Sequence, residues 1–591
     1  MSAATVPQPG AQDDWDNVDE AVRDQLGQLL TAGTNLLSDS EIMGRLDPLA
    51  LFSPLLRTSL SAAAHPDRVA VALARAAGEM VRATTAATVR AVGGTPSYAP
   101  KRGKDRRFTD PAWIENAGYW WLSEIYHDCE QALLEIVRDT DTPPAVKQKA
   151  QFAVQLMIDA LSPTNSILGN PAVIKKALDT GGLSLVRGAR NFLHDLRTNQ
   201  GAPRQVVPGA HTVGEHTALT PGKVVFRNEL MELIQYAPST AEVHEIPLLF
   251  SPPWINKYYI MDLAPGRSLV QWAVDHGHTA FMISYRNPDE EMRHVKMDDY
   301  LISGPIAALE VVRNITGAEK VNLLGLCLGG TLTMATLAYL DAVGLDLINT
   351  ATFLNTLIDF SEPGLLGVFT DEASIRRLER TMKRTGFLPK EEMQRSFNLL
   401  RTNDLIWNYA VSSWLMGEEP SAFDLLSWNN DSTRMPAEMH SFYLRSCYVG
   451  NELARGVMEL AGQRLDLKIV DQDLYFLSAE QDHIAPWRSS YAGARLPAGQ
   501  VRFVLSNSGH IAGIVNPPSP KSIHRVLEDH QPLPPDPSDW LAAATIHAMT
   551  WWEDWAQWIA ARAGAMRKPP RMGSRKYRPI ADAPGTYVLE R

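Results

Sequence analysis

Apolar residues in the second half of the chain fall into short, nearly unbroken runs separated by stretches of helical periodicity. The runs are Val224-Val225-Phe226, Ile246 to Phe250, Ala280 to Ser284, Val321 to Leu324, Thr350 to Leu354, Leu474 to Leu477 and Val501 to Leu505. Such runs predict strands buried on both faces, and their alternation with helices predicts a mostly parallel sheet covered on both sides. The pattern before residue 205 differs, because strand-like alternation is scarce and helical spacing dominates. Asp110-Pro111-Ala112-Trp113 predicts the start of a helix running through Trp120, Ile125, Leu133 and Ile136. Ser162-Pro163-Thr164-Asn165 ends one helix and Asn170-Pro171 begins the next. The expected organisation is a flexible terminus at 1–15, a helical domain at 16–205, a linker between Gly201 and Gly214, and an α/β domain at 215–591. A mainly helical, aromatic-rich insertion at about 356–470 separates two strands and reads as a cap. Trp540, Trp551, Trp552, Trp555 and Trp558 are expected on one helix from Ser538, and the tail after Gly564 is expected to wrap the domain in extended form.

Composition narrows the class. Of 591 residues, 45% are hydrophobic and 21% charged, enough apolar material for a large core. The net charge of −11 excludes a general nucleic-acid binder, whose footprint would be basic. Three cysteines, Cys129, Cys327 and Cys447, are too few and too scattered for a disulfide framework or a zinc site. They fit a reducing cytoplasm, with Cys129 and Cys447 as small buried hydrophobes; no metal and no cofactor is called for. No secretory signal pattern opens the chain, and no apolar run approaches the roughly 18 residues of a membrane span. Lys101 to Arg107 form a basic cluster, expected in a solvated loop.

Gly325-Leu326-Cys327-Leu328-Gly329 lies where a buried strand gives way to a helix of small residues. That is the pattern of a nucleophile elbow with cysteine in place of serine. A sharp turn of this kind forces its central residue into a strained backbone conformation, and flanking side chains would clash across it. The thiol is presented at the top of a sheet near the positive end of a helix, a setting suited to acyl transfer through a thioester.

A cysteine nucleophile needs a base and a group to orient that base. In folds built on such an elbow, acid and histidine follow in chain order, each after a strand. The run ending at Leu477 leads into Ser478-Ala479-Glu480-Gln481-Asp482-His483, which makes Asp482 the expected acid and Glu480 its rival. The run ending at Leu505 leads to His510, the expected base. Backbone N–H groups of Leu328 and of Ile255, in the loop Ser251 to Tyr259, are the expected oxyanion donors. Asn256 and His483 are candidate substrate-binding residues, and most other histidines are expected at the surface or satisfied in the core.

The segments SPPWINKYYIMDL (251–263), YRNPD (285–289), GLCLGG (325–330), NDLIWNYAV (403–411), FDLLSWNND (423–431), DHIAPW (482–487) and SGHIAGIVNPP (508–518) resemble poly(3-hydroxyalkanoate) synthases, most closely those of class I. The resemblance extends to PIADAPGTYV (579–588) and more faintly to FTDPAWIENAGYWW and SPTNSILGNP. It implies an α/β-hydrolase fold with a helical cap insertion, preceded by a mainly helical N-terminal domain. It implies a Cys327–His510–Asp482 triad that polymerises (R)-3-hydroxyacyl-CoA, most readily 3-hydroxybutyryl-CoA, into polyester with release of CoA. Asp482 would orient His510 or act on the hydroxyl itself. The implied partners are the growing polyester, a second copy in a homodimer, the granule surface and granule-associated proteins in the cytoplasm. Leu326 and Leu328 depart from the short-chain pattern and bear on the pocket's shape. Phe360, Phe369, Trp407, Trp414, Phe423 and Trp428 would furnish a water-excluding lid, and Trp552 is a candidate polymer-facing residue. The alternatives are a cysteine-dependent hydrolase of the same fold and a non-catalytic granule-binding protein.

Overall fold

The computed structural model describes residues 51–98, 103, 105–528 and 532–591. The expectation for 1–15, and Lys101, Arg102 and Lys104 of the basic cluster, lie outside the described residues. The described residues divide into two compact units: those up to 197 with 372–377 and 402–418, and those of 198–371 with 378–401 and 419–591.

The first unit is helical. Its long helices are α1 (Phe52–Ala64), α2 (Pro66–Ala91), α3 (Ala117–Arg138), α4 (Pro144–Ala160), α5 (Pro171–Asp179) and α6 (Leu183–Thr198). The helix expected to run unbroken from Asp110 is interrupted at Asn116. The Asn116 side chain accepts from the N–H groups of Gly118 and Tyr119, so it caps α3 rather than continuing the preceding turn. Asn170 caps α5, with Pro171 first in the helix, as its sequence predicts. One segment of the expected cap, 402–418, is held in this unit by buried polar groups. Thr402 donates to Asp159 at 2.5 Å and Trp414 Nε1 to Asp195 at 2.9 Å. Arg107 is no solvated loop residue: it pairs with Asp105 at 2.7 Å and donates to Tyr126 at 2.9 Å. Cys129, read as a buried hydrophobe, is exposed, while Cys447 is buried.

The second unit is built on an eleven-stranded sheet. Its strands are β1 (Gly222–Arg227), β2 (Met231–Tyr236), β3 (Leu248–Ser251), β4 (Ala280–Tyr285), β5 (Val321–Leu326), β6 (Ile348–Leu354), β7 (Asp473–Ala479), β8 (Val501–Ser506), β9 (His524–Val526), β10 (Thr545–His547) and β11 (Ala581–Asp582). They lie side by side in the order β10-β9-β8-β7-β6-β5-β3-β4-β2-β1-β11. The run from β8 to β4 in that order is parallel and both flanks are antiparallel. All of β3, β4 and β5 is buried, which explains why these strands read as unbroken apolar runs.

Strand β2 escaped the pattern because it carries Glu232 and Gln235, both buried. The tail satisfies them. Glu232 accepts from Thr586 N–H at 2.9 Å and Tyr587 N–H at 3.0 Å, and Gln235 accepts from Gly573 N–H at 2.7 Å. The tail does run extended, and β11 pairs with β1.

Three further helices matter below: α7 (Leu328–Ala342), α8 (Lys390–Leu400) and α9 (Ala437–Phe442). The single helix expected from Ser538 is instead two, with β10 between them; the second, α10 (Trp551–Ala560), carries four of the tryptophans. All four are buried, and Trp552 Nε1 donates to the Ile514 carbonyl at 2.9 Å. A polymer-facing role for Trp552 is therefore excluded; the indole is core with its polar edge satisfied.

Candidate active site

Strand β5 ends at Leu326 and α7 begins at Leu328, leaving Cys327 alone at the bend with φ 50° and ψ −117°. A non-glycine residue in that region is strained and persists only where its surroundings over-determine it. Here they do: Cys327 N–H donates to the Leu354 carbonyl at 2.8 Å, and the Cys327 carbonyl accepts from Gly330 N–H at 2.9 Å. A Cβ on Gly325 would come within 2.5 Å of Gly330 Cα, and one on Gly329 would collide with the carbonyls of Ser251 and Pro252. The glycines are required by close approach of backbone to backbone.

Asp482 follows β7 and His510 follows β8. His510 Nδ1 lies 2.6 Å from Asp482 Oδ2, and the Asp482 side chain is fully buried. The other carboxylate oxygen of Asp482 accepts from the N–H groups of Ile484 and Ala485 at 2.8 Å each. The His510 carbonyl accepts from Asn355 Nδ2, tying its loop to the end of β6. Burial alone would pull the His510 imidazole below its ordinary value. The Asp482 carboxylate and the Cys327 sulfur beside it outweigh burial and hold it up at about 10. Glu480, the rival acid, points elsewhere and pairs with Arg525 at 3.0 Å.

Cys327 and His510 line a cavity of about 140 Å³, with Asp482 behind His510. Ile255, Asn256, Leu326 and Leu328 line it too. Leu328 is the first residue of α7, so its N–H has no partner within the helix. The N–H of Ile255 makes no backbone hydrogen bond among the described residues. His483 is half-buried and is not among the residues lining the cavity; its carbonyl faces Gly364. Of the six aromatic residues expected in a lid, Phe360, Phe369 and Trp428 line the cavity. Trp407 and Trp414 belong to the helical unit, and Phe423 is exposed.

The cap contributes His440 from α9, and Tyr443 and Tyr448 from the π-helical turn Tyr443–Val449 that follows. None of these three stands out in the sequence. His440 and Tyr443 are three apart and share a helical face, a spacing equally suited to plain core. Most other histidines are expected at the surface or satisfied in the core; His440 departs from this, buried with Nδ1 unpaired, as does His278 with both ring nitrogens.

A parallel sheet whose central strand breaks into a helix at a strained cysteine, with an aspartate and a histidine after β7 and β8, defines the α/β-hydrolase fold class. The alpha/beta hydrolase fold family model matches residues 251–517, and the model described as Poly-beta-hydroxybutyrate polymerase (PhaC) N-terminus matches 104–273. The chain is 42% identical over 491 residues to the poly(3-hydroxyalkanoate) polymerase subunit PhaC of Cupriavidus necator, covering 82% of this chain and 83% of that one. It is 43% identical to the poly(3-hydroxyalkanoate) polymerase of Methylorubrum extorquens, covering 82% and 80%, and 40% identical to poly(3-hydroxyalkanoate) polymerase 1 of Ectopseudomonas oleovorans, covering 84% and 88%. The chain belongs to the poly(3-hydroxyalkanoate) polymerase family of enzymes.

Proposed function

We propose that this polymerase carries the growing polyester on Cys327 and takes its monomers from (R)-3-hydroxyacyl-CoA, 3-hydroxybutyryl-CoA foremost. The observation that carries this reading is the placement of His510, bonded to Asp482 on one side and beside the Cys327 sulfur in the same cavity on the other. His510, raised against burial by Asp482 and by the sulfur beside it, holds the proton of the Cys327–His510 pair as the Cys327 sulfur attacks the thioester carbonyl. The C–S bond to CoA breaks, and the departing CoA sulfur receives that proton. One thioester is exchanged for another, so the acyl group stays activated, whereas a serine would trap it as an ordinary ester. His510 then takes the proton of an incoming 3-hydroxyl, whose oxygen attacks the acyl-cysteine. The C–S bond to Cys327 breaks as the ester bond forms, and the proton is returned to the Cys327–His510 pair. The lengthened chain, now a CoA thioester, acylates Cys327 again with release of CoA. Asp482 holds the imidazole in the required tautomer. The N–H groups of Leu328 and Ile255 serve as the oxyanion donors in this reading.

Keeping water from the acyl-cysteine is what separates polymerisation from hydrolysis. The cap residues Phe360, Phe369 and Trp428 around the thiol support that role. No helix among the described residues is long and apolar enough to cross a membrane. The proposed setting is a cytoplasmic homodimer at the surface of polyester granules, in contact with granule-associated proteins.

Incubating the purified enzyme with 3-hydroxybutyryl-CoA is expected to yield free CoA and insoluble polymer in step, with an acyl adduct on Cys327 seen by peptide mass spectrometry. Free CoA accompanied only by soluble hydroxy acid would assign hydrolysis instead.

A further inference from the structure

The cap wall of the Cys327 cavity holds a polar group that the chemistry above leaves unused. His440, in α9, is 2% exposed, and its Nδ1 is buried without a partner. Its nearest aromatic contact is Tyr443, with ring centroids 6.1 Å apart. The Tyr443 hydroxyl is engaged with that of Tyr448 at 3.4 Å. Other hydroxyls lining the cavity are spent on the backbone. Thr331 donates to the Leu357 carbonyl, Thr370 to that of Gly367 and Ser396 to that of Glu392, at 2.7, 3.0 and 3.0 Å. Burial pulls the His440 imidazole down to about 4, so it is neutral at working pH and offers one N–H donor and one nitrogen acceptor.

An imidazole desolvated without a partner is unfavourable, and an apolar side chain would fill the same place without that penalty. The helix that carries it runs on into the π-helical turn from Tyr443, a feature concentrated at functional sites. Unlike His278, which is buried with both ring nitrogens unpaired, His440 lines the Cys327 cavity, where the substrate can supply the partner. On the acyl portion of a 3-hydroxyacyl thioester there are two polar functions. The thioester carbonyl is claimed by the amides at Leu328 and Ile255, which leaves the oxygen on C3.

Resting on the function proposed above, we infer that His440 is the hydrogen-bond partner of the substrate's 3-hydroxyl and makes the cavity selective for hydroxyacyl over plain acyl thioesters. The hydroxyl donates to a ring nitrogen of His440, which fixes C3 relative to the carbonyl that Cys327 attacks. His440 takes no proton in the reaction; it is a specificity-determining contact.

The test is single-turnover CoA release from 3-hydroxybutyryl-CoA and from butyryl-CoA, with wild type, His440→Leu and His440→Asn. Wild type is expected to acylate about tenfold or more faster with the hydroxyacyl thioester, because a site built to bond a hydroxyl rejects the analogue lacking it. A wild-type ratio near one overturns the inference without recourse to any variant. His440→Leu is expected to bring the ratio to within about threefold of one, by slowing the hydroxyacyl substrate far more than butyryl-CoA. His440→Asn, which retains a polar edge, is expected to recover part of the preference. Equal slowing of both substrates marks a structural role and overturns the inference, as does an unchanged ratio. A wild-type enzyme that releases CoA from neither thioester overturns the proposed function itself, and the inference with it.

Discussion

His510 Nδ1 and Asp482 Oδ2 meet at 2.6 Å, while two backbone N–H groups hold the other Asp482 oxygen in place. In Asp482→Asn those two N–H groups retain the amide oxygen, so the NH₂ faces His510 Nδ1. That forces Nδ1 to accept and leaves the proton on Nε2, which in the proposed reaction deprives Cys327 of its base. Steady-state CoA release is expected to fall about 10²- to 10⁴-fold. Glu480→Gln, which disturbs only a pair with Arg525, is expected to stay within about twofold of wild type. Similar losses from both substitutions would contradict the assignment of the acid.

The strain at Cys327 predicts a trade between stability and function. With φ 50° and ψ −117°, the position suits glycine better than cysteine. Cys327→Gly is expected to abolish turnover and to stabilise the fold by about 1–2 kcal/mol, read as a higher denaturation midpoint. A lower midpoint would mean that the side chain's packing outweighs the backbone strain.

Gly329 tests how tightly the elbow abuts the loop after β3. The Cβ of Gly329→Ala would strike the Ser251 and Pro252 carbonyls, which are backbone and cannot rotate away. A loss of more than about 3 kcal/mol is expected, together with displacement of the Ile255 loop. Gly317→Ala is the contrasting control. A Cβ there meets nothing, so its cost is limited to the left-handed φ of 69°, about 1 kcal/mol.

Buried histidines predict how stability varies with pH. Burial, reinforced by His244 and His276, holds His278 at about 3, and burial holds His440 at about 4, against about 6.5 in the unfolded chain. Between those values the unfolded chain binds more protons, so stability is intact above pH ~6.5 and falls as acid is added through the window. Each group contributes on the order of 3–5 kcal/mol to that fall. His510 works with the opposite sign. Its folded value of about 10 gives stability that is present below pH ~6.5 and lost as pH rises toward 10. Denaturation midpoints from pH 4 to 10 are expected to be dome-shaped, and His278→Leu is expected to flatten the acid side alone.

Much of the architecture is legible along the chain because it is local. The apolar runs at 248–250, 280–284, 321–324 and 350–354 became the central strands because a parallel sheet covered on both faces admits few polar residues. Strand β2 was hidden for the converse reason, since Glu232 and Gln235 look like surface until the tail, more than 300 positions away, satisfies them. The helix from Ser538 was misjudged because tryptophan spacing continues across a break made by pairing of β10 with β9. Periodicity records which residues are apolar, not where hydrogen bonding to a distant strand interrupts a helix.

What the sequence determined by itself is the elbow around Cys327, with its glycines, and the order in which Asp482 and His510 follow it. Each depends on a few adjacent residues whose sterics leave little choice. Tertiary structure alone decided that Asp482 rather than Glu480 meets His510, and that part of the cap insertion packs with the N-terminal helices through Asp159 and Asp195. It alone placed an unpartnered His440 in the wall of the Cys327 cavity. Those outcomes rest on side chains brought together from distant parts of the chain, where direction and desolvation are set by packing and leave no local pattern to read.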